Sequence, residues 1–301
     1  MNTQPPLTPL QIWTLAARPK TLPAAAAPVI AGTAVALHDG VFSPGPALAA
    51  LLGALLIQIG TNFANDVFDY KKGADTHERL GPVRVTQAGL LKPEQVFMGM
   101  WVVFGLAVLV GVYLLAVAGW PVVWIGLFSI LAGIAYTGGP FPLGYNGLGD
   151  IFVFIFFGLV AVCGTYYVQS GTVSAGAIWA AIPMGLLATA ILVVNNLRDV
   201  ETDTKAGKKT LAVRFGVNGA RLEYDLMIGG ALLCPLAMWL TGNASPWVLL
   251  TWLSLYRAIP LIKMIYTEKG KALNKALGGT GRLELEFAIL LAVGLLIGKL
   301  V

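Results

Sequence analysis

Apolar residues in this chain run on rather than alternate. Nine stretches approach the roughly 20 residues that a helix needs to cross the hydrocarbon core of a bilayer. They fall at approximately 15–37, 46–65, 96–117, 120–137, 149–169, 174–196, 224–241, 245–266 and 284–300. The pattern predicts an all-α polytopic membrane protein with nine transmembrane helices in a single domain over 1–301, whose residues 1–9 form a flexible N-terminal tail. The first stretch is the least regular, because "RPKTLPAAAAPVIAGTAVAL" contains Pro19, Pro23 and Pro28; prolines are tolerated in membrane helices whose neighbours re-satisfy the backbone. Polar residues gather in two long connections, about 66–95 and 197–223, and long connections in compact proteins tend to carry function.

Composition agrees. Hydrophobic residues make up 57% of the 301 and charged ones 12%, with a mean hydropathy of +0.76; a soluble domain carries roughly 25% charged residues. Nineteen of the twenty Lys and Arg precede or begin span one, or lie in the connections after spans two, six and eight, or in span eight near that same side; the exception is Lys299. The connections after spans one, three, five and seven have none. The positive-inside rule then places the N-terminus and the two long connections in the cytoplasm and, with nine spans, the C-terminus outside. The net charge of +5 is thereby explained by topology, and nucleic acid is not implied. Cys163 and Cys234 lie in apolar runs and form no disulfide framework or metal knuckle. His38 and His77 are too far apart for a histidine metal site. "MNTQPPLTPLQIW" lacks a basic n-region and a small-residue cleavage site, so no signal peptide is expected and the first span directs insertion.

Both long connections open with amides and carboxylates. In "NFANDVFDYKKGAD" the pairs Asn62/Asp66 and Asn65/Asp69 are spaced i, i+4, and in "NNLRDVETDTKAGKK" Asn195, Asp199 and Asp203 are spaced i, i+4, i+8. If span six continues as helix to about 203, each set forms a stripe on one helix face. Ionisable groups at membrane depth are costly and mark function by default. Carboxylate and amide oxygens suit Mg2+, which takes one or two carboxylates and completes its shell with water and phosphate oxygens. Basic residues in the same connections would neutralise the rest of a diphosphate. A bare cation site, as in a transporter, would not need the lysines and is expected nearer the midplane. The string "GGTGR" (278–282) lacks the strand–loop–helix context of a phosphate loop. Phe152, Phe154, Phe156 and Phe157, followed by Tyr166 and Tyr167, could line a channel or face lipid.

The two motifs resemble those of the UbiA-type intramembrane aromatic prenyltransferases, which carry N-x-x-x-D-x-x-(x)-D on the second span and N-x-x-x-D-x-x-x-D on the sixth. The resemblance covers essentially the whole chain. It implies a bundle of nine helices around a central cavity open to the cytoplasmic side, and Mg2+ as cofactor. Asn62, Asp66 and Asp69, with Asn195, Asp199 and Asp203, would bind metal ions and diphosphate, while Asn65 and Asp75 belong to the first motif's neighbourhood. Arg18 in "RPKT" matches an RP-x-T string and would reach the diphosphate or an acceptor carboxylate. Arg84, Arg198, Lys205 and Lys209 would neutralise phosphate charge, and Tyr136 would lie near the reacting carbon. "RLGPVRVTQAGLL" (79–91), "YTGGPFPLGYNGLGD" (136–150) and "NNLRDVETDTKAGKKTLAVRFG" (195–216) are similar to the branch that prenylates 1,4-dihydroxy-2-naphthoate with polyprenyl diphosphate. The 4-hydroxybenzoate branch shows N-R-P-L after the first motif, where this chain reads "GPVR". Homogentisate, haem and chlorophyllide are the acceptors of other sibling branches.

Overall fold

The computed structural model describes residues 7–74 and 79–301; Asp75, His77 and residues 1–6 of the expected tail lie outside the described residues. Among the described residues every regular element is helical. Helix α1, Pro9–Ala17, is started by a capping box between Thr8 and Gln11 with proline in the first turn. It stops at Arg18, whose φ of 53° makes it the one non-glycine residue with positive φ among those described. Pro19 explains the stop, since it has no N–H to continue the ladder and crowds the preceding residue out of the helical region. A 3-10 turn, Pro19–Thr21, leads into α2, Leu22–His38.

Three helices with proline in the first turn follow: α3, Pro44–Lys71; α4, Pro93–Ala118; and α5, Pro121–Ala135. After a loop containing a 3-10 turn, Leu143–Tyr145, comes one continuous rod. It consists of α6, Gly149–Val153, a π-helical turn, Phe154–Val160, and α7, Ala161–Ser170. Next are α8, Ala175–Arg198; the short α9, Val200–Lys205; α10, Leu211–Leu240; a 3-10 stretch, Pro246–Ser254, running into α11, Leu255–Thr267; and α12, Leu273–Leu300.

Among the described residues, seven stretches are long and apolar enough to cross a membrane: Pro9–His38, Pro44–Lys71, Pro93–Ala118, Gly149–Ser170, Ala175–Arg198, Leu211–Leu240 and Pro246–Thr267. The expected count of nine therefore goes beyond what length and composition support. The α5 helix is apolar but has 15 residues, about 22 Å at 1.5 Å per residue, against a core of about 30 Å. The α12 helix has 28 residues but carries Arg282, Glu284, Glu286 and Lys299. The connection expected over 197–223 is also shorter than its polarity suggested. Thr210 caps the start of α10 through its hydroxyl, so the chain is helical from 211 onward except at Gly216 (φ 71°, ψ −177°), whose non-helical backbone kinks it.

The larger core is built from α2, α7, α8, α10 and α12, around Met184, Leu187, Tyr224, Ile228, Phe287 and Leu291. A second joins α1, α3 and α4 around Phe63, Val67, Met100 and Phe104, and takes in Val85 from the first long connection. The outer faces of α4 and α5 present Met98, Trp101, Leu109, Trp124 and Phe128, a surface suited to lipid. The π-helical turn lies directly against α8: a Cβ added at Gly158 would sit 2.7 Å from the Gly185 Cα and 2.8 Å from the Ala181 carbonyl oxygen. Small residues permit this backbone approach.

Candidate active site

The first acidic cluster occupies the last turns of α3. Asp66 is 1% exposed, and its two oxygens accept the backbone N–H groups of Val85 (3.0 Å) and Thr86 (3.1 Å). The carboxylate thus folds the first connection back over the helix tip. Asp69, also buried, pairs with the Arg84 guanidinium at 2.9 Å and accepts the Tyr145 hydroxyl at 2.8 Å. Asn62 donates its amide to the Ala17 carbonyl (3.0 Å) and the Thr21 hydroxyl (2.9 Å), pinning both sides of the break at Arg18. Asn65 accepts the Thr137 hydroxyl at 2.9 Å, which ties α3 to the end of α5. Arg18 lies in the field of Arg84, Arg79, Asp66 and Asp69, and its Nη2 is buried without a hydrogen-bond partner among the described residues. A guanidinium placed so has donors to offer an anion.

The second cluster continues α8. The helix ends at Arg198, but the i to i−4 hydrogen bonds run on through Asp199 (to Asn195, 3.1 Å) and Asp203 (to Asp199, 2.7 Å). The expected stripe therefore survives the break between α8 and α9. Arg198 is central to it: Nε donates to Asp199 (2.8 Å), Nη2 to Asn195 (2.8 Å) and to the second Asp199 oxygen, and Nη1 to Asn274 (2.8 Å). Asn274 in turn donates to the Leu80 carbonyl at 2.9 Å, linking this tip to the first connection. Asp203 pairs with Lys208 at 2.9 Å. Burial pushes the Asp203 carboxyl up from its ordinary value, opposed by the charge of Lys208.

The tips converge. Tyr145 reaches Asp69 with its hydroxyl, while the Lys208 ammonium that pairs with Asp203 lies 4.9 Å from the centre of its ring. The unbroken path Asp69–Tyr145–Lys208–Asp203 brings both acidic clusters into one site. Below it, an apolar cavity of about 230 Å3 opens between α2, α3, α4, α5 and the α6–α7 rod. Thr61 and Tyr136 border its site end, Phe152 and Phe156 its wall, and Ala50 and Val122 its far end. The stretch of α3 from Thr61 to Ala50 covers about 17 Å at 1.5 Å per residue. Tyr136 lies in the field of Asp150, Asp69 and Asp203, and a Cβ at Gly149 would sit 3.1 Å from its hydroxyl.

Asp66, Asp69, Asp199, Asp203, Asn62, Asn195, Arg18, Arg84 and Arg198 thus cluster at the two tips as their spacing suggested, and Tyr136 sits at the cavity mouth. The lysines fall otherwise. Lys205 and Lys209 are exposed, and Lys209 joins the site through its backbone N–H, which donates to the Tyr145 carbonyl at 2.7 Å. The lysine that turns inward is Lys208, because Gly207 (φ 72°) reverses the chain after α9 and lets the Lys208 N–H return to the Asp203 carbonyl at 3.0 Å. Lys72 and Tyr145 also belong to the site without a sequence signal of their own; Tyr145 lies in "YTGGPFPLGYNGLGD", a loop without periodicity.

No group of three or more His, Cys, Asp or Glu side chains close enough to hold a metal alone occurs among the described residues. The donors present still fit Mg2+, which needs only one or two carboxylates when substrate phosphate supplies the remaining oxygens.

The chain is 38% identical over 302 residues to a 1,4-dihydroxy-2-naphthoate octaprenyltransferase of Haemophilus influenzae, covering 96% of this chain and 97% of the relative. It is 41% identical over 269 residues to the Escherichia coli protein of the same name, covering 87% and 86%. A 2-carboxy-1,4-naphthoquinone phytyltransferase of Synechocystis is 30% identical over 262 residues, covering 85% and 82%. Among solved structures, a UbiA homolog from Archaeoglobus fulgidus bound to GPP and Mg2+ shares the fold, with a TM-score of 0.68 at 15% identity, covering 94% of this chain and 99% of that one. The sequence matches the UbiA prenyltransferase family over residues 25–297, and the chain belongs to that family.

Proposed function

We propose that this chain transfers a polyprenyl group from polyprenyl diphosphate to the ring of 1,4-dihydroxy-2-naphthoate, releasing diphosphate and CO2 and giving a demethylmenaquinol-type product. The observation that carries the reading is the meeting of two aspartate-bearing helix tips, through Tyr145 and Lys208, at the mouth of an apolar cavity. The names of the relatives support the acceptor. The donor has a doubly charged head and a lipid-like tail, and the site offers a place for each.

Asp66 and Asp69, with Asp199 and Asp203, would hold Mg2+, and Asn62 and Asn195 lie beside them. Bound Mg2+ would neutralise charge on the departing diphosphate. Arg18, Arg84, Arg198 and Lys208 surround the same place and would stabilise the charge that develops there; Lys205 and Lys209 would contribute only from the rim. Loss of diphosphate gives the allylic carbon cationic character, and the apolar cavity below Tyr136 keeps water from capturing it. The electron-rich acceptor ring attacks, with its own ionised phenol supplying the electron push, and the carboxylated carbon loses CO2. In the membrane, α5 and α12 would complete nine crossings of a single domain. The N-terminus and both acidic tips would face the cytoplasm and the C-terminus the outside, as the basic residues indicate.

The decisive assay offers membranes containing the protein a labelled prenyl diphosphate and one acceptor at a time: 1,4-dihydroxy-2-naphthoate, homogentisate or 4-hydroxybenzoate. Prenylated product is expected with the first. Product with another acid alone would assign the chain to a sibling branch, and solute uptake by reconstituted protein without any prenylated product would favour a transporter.

The cavity supplies a second test. Gly126 lines it, and a Cβ added there meets no atom within 4 Å. The Gly126→Leu variant should therefore obstruct the lower cavity without a backbone clash. Its kcat/KM for a geranylgeranyl donor should fall roughly tenfold or more, with little change for dimethylallyl diphosphate. Equal losses for both would place the tail elsewhere.

A further inference from the structure

Tyr145 is held at both ends. Its carbonyl oxygen accepts the Lys209 N–H at 2.7 Å, from the segment that carries the second acidic cluster. Its hydroxyl donates to Asp69 at 2.8 Å, in the first. The loop that bears it is fastened further: the Gly144 N–H donates to the Tyr136 carbonyl at 2.9 Å, and Arg214 donates to the Asn146 carbonyl at 2.8 Å. Gly147 (φ 76°) passes so close to the Lys209 carbonyl that an added Cβ would lie 2.6 Å from it.

Between these anchors the ring meets two cations. The Lys72 ammonium lies 5.0 Å from its centroid and the Lys208 ammonium 4.9 Å. Lys72 comes from just beyond α3 and also donates to the Gly139 carbonyl at 3.3 Å; Lys208 comes from beyond α9 and pairs with Asp203. Two like charges so placed repel. The negative face of an aromatic ring attracts each of them, and Asp69 and Asp203 offset the remainder. Lysine side chains are otherwise costly to immobilise, because they lose much rotamer freedom. One ring fixed across the tips brings two ammonium groups, from two separate connections, to the same place.

We propose that Tyr145 is a positioning residue for the diphosphate, a strut between the two acidic tips whose ring places Lys72 and Lys208 where a diphosphate would meet both. This rests on the prenyl diphosphate reading above. The hydroxyl and the ring have separable duties. The hydroxyl orients Asp69, and so acts on the metal requirement. The ring orders the lysines, and so acts on the affinity for the anion.

The test uses full-length protein in lipid nanodiscs, with calorimetric titration of inorganic diphosphate in saturating Mg2+, alongside steady-state kinetics. Y145L should weaken diphosphate binding and raise KM for the prenyl diphosphate by about tenfold, leaving KM for the aromatic acceptor unchanged. Y145F keeps the ring; it should bind diphosphate at saturating Mg2+ within about threefold of the parent while needing more Mg2+ for half-maximal activity. In a K72M/K208M background, Y145L should cost nothing further in diphosphate affinity, the non-additivity expected of a residue acting through two others.

Parent-like diphosphate binding by Y145L would overturn the proposal, as would a full additional loss in the double-lysine background. If Y145L does not fold, the K72M/K208M protein and Y145F decide alone: unchanged diphosphate affinity in the former, or loss equal to the double-lysine change in the latter, overturns it. Absence of diphosphate binding by the parent protein itself would instead remove the prenyl diphosphate reading.

Discussion

Replacing Asp66 or Asp199 with asparagine is expected to lower kcat/KM for the prenyl diphosphate by roughly 10²- to 10³-fold, the loss typical when one preorganised electrostatic partner is removed from a developing charge. The choice of substitution matters. Asp66 accepts two backbone N–H groups of the first connection, and alanine would leave both buried donors unsatisfied, at about 1–3 kcal/mol each. Asp199 faces Arg198, whose side chain is 1% exposed, and alanine would strand a buried charge, typically at about 3–5 kcal/mol. Asparagine keeps one carbonyl oxygen at each site, so one of the two hydrogen bonds that each carboxylate accepts survives while the negative charge is removed. Thermal melts within a few degrees of the parent, together with collapsed turnover, would identify the charge as the functional quantity. Near-parental turnover in either variant would exclude that carboxylate from the machinery.

Chelation should have an equally large effect on activity and almost none on the fold. EDTA is expected to abolish prenyl transfer, and added Mg2+ to restore it. The aspartates do not depend on metal for partners: Asp69 has Arg84 and Tyr145, Asp199 has Arg198, Asp203 has Lys208 and Asp66 has two backbone amides. Unlike a structural metal domain, which unfolds when stripped, this protein should show the same helical circular dichroism and nearly the same melting temperature in EDTA. Full activity in chelator would remove divalent ions from the scheme, and unfolding in chelator would show that the internal ion pairs do not suffice.

The two tips were legible in the sequence because amides and carboxylates at i, i+4 spacing directly follow long apolar runs, a combination that costs too much at membrane depth to lack a purpose. The ladder of hydrogen bonds through Asn195, Asp199 and Asp203 kept the stripe in register even where α8 gives way to α9. The inward-facing lysine was not legible. Helical phase predicts nothing beyond Gly207, whose left-handed conformation decides which of Lys205, Lys208 and Lys209 turns back. The early start of α10 was hidden by Arg214, Arg221 and Glu223, which sit in helix on either side of the kink at Gly216. The break at Arg18 was signalled by Pro19, but the burial of its Nη2, without a hydrogen-bond partner among the described residues, depends on α3 and the first connection packing around it. Tyr145 carried no pattern at all; its place follows from anchors supplied by Tyr136, Lys209 and Asp69, residues far apart along the chain.

The π-helical turn at Phe154–Val160 rests backbone to backbone on α8 through Gly158 and Gly185. That side of the channel has no slack and cannot retreat. A guest broader than the resting space must instead push outward on α4 and α5, whose far faces expose Trp101, Leu109, Trp124 and Phe128. Compliance in this protein is thus one-sided, and the bilayer, through its lateral pressure, becomes a determinant of how readily a bulky tail is admitted.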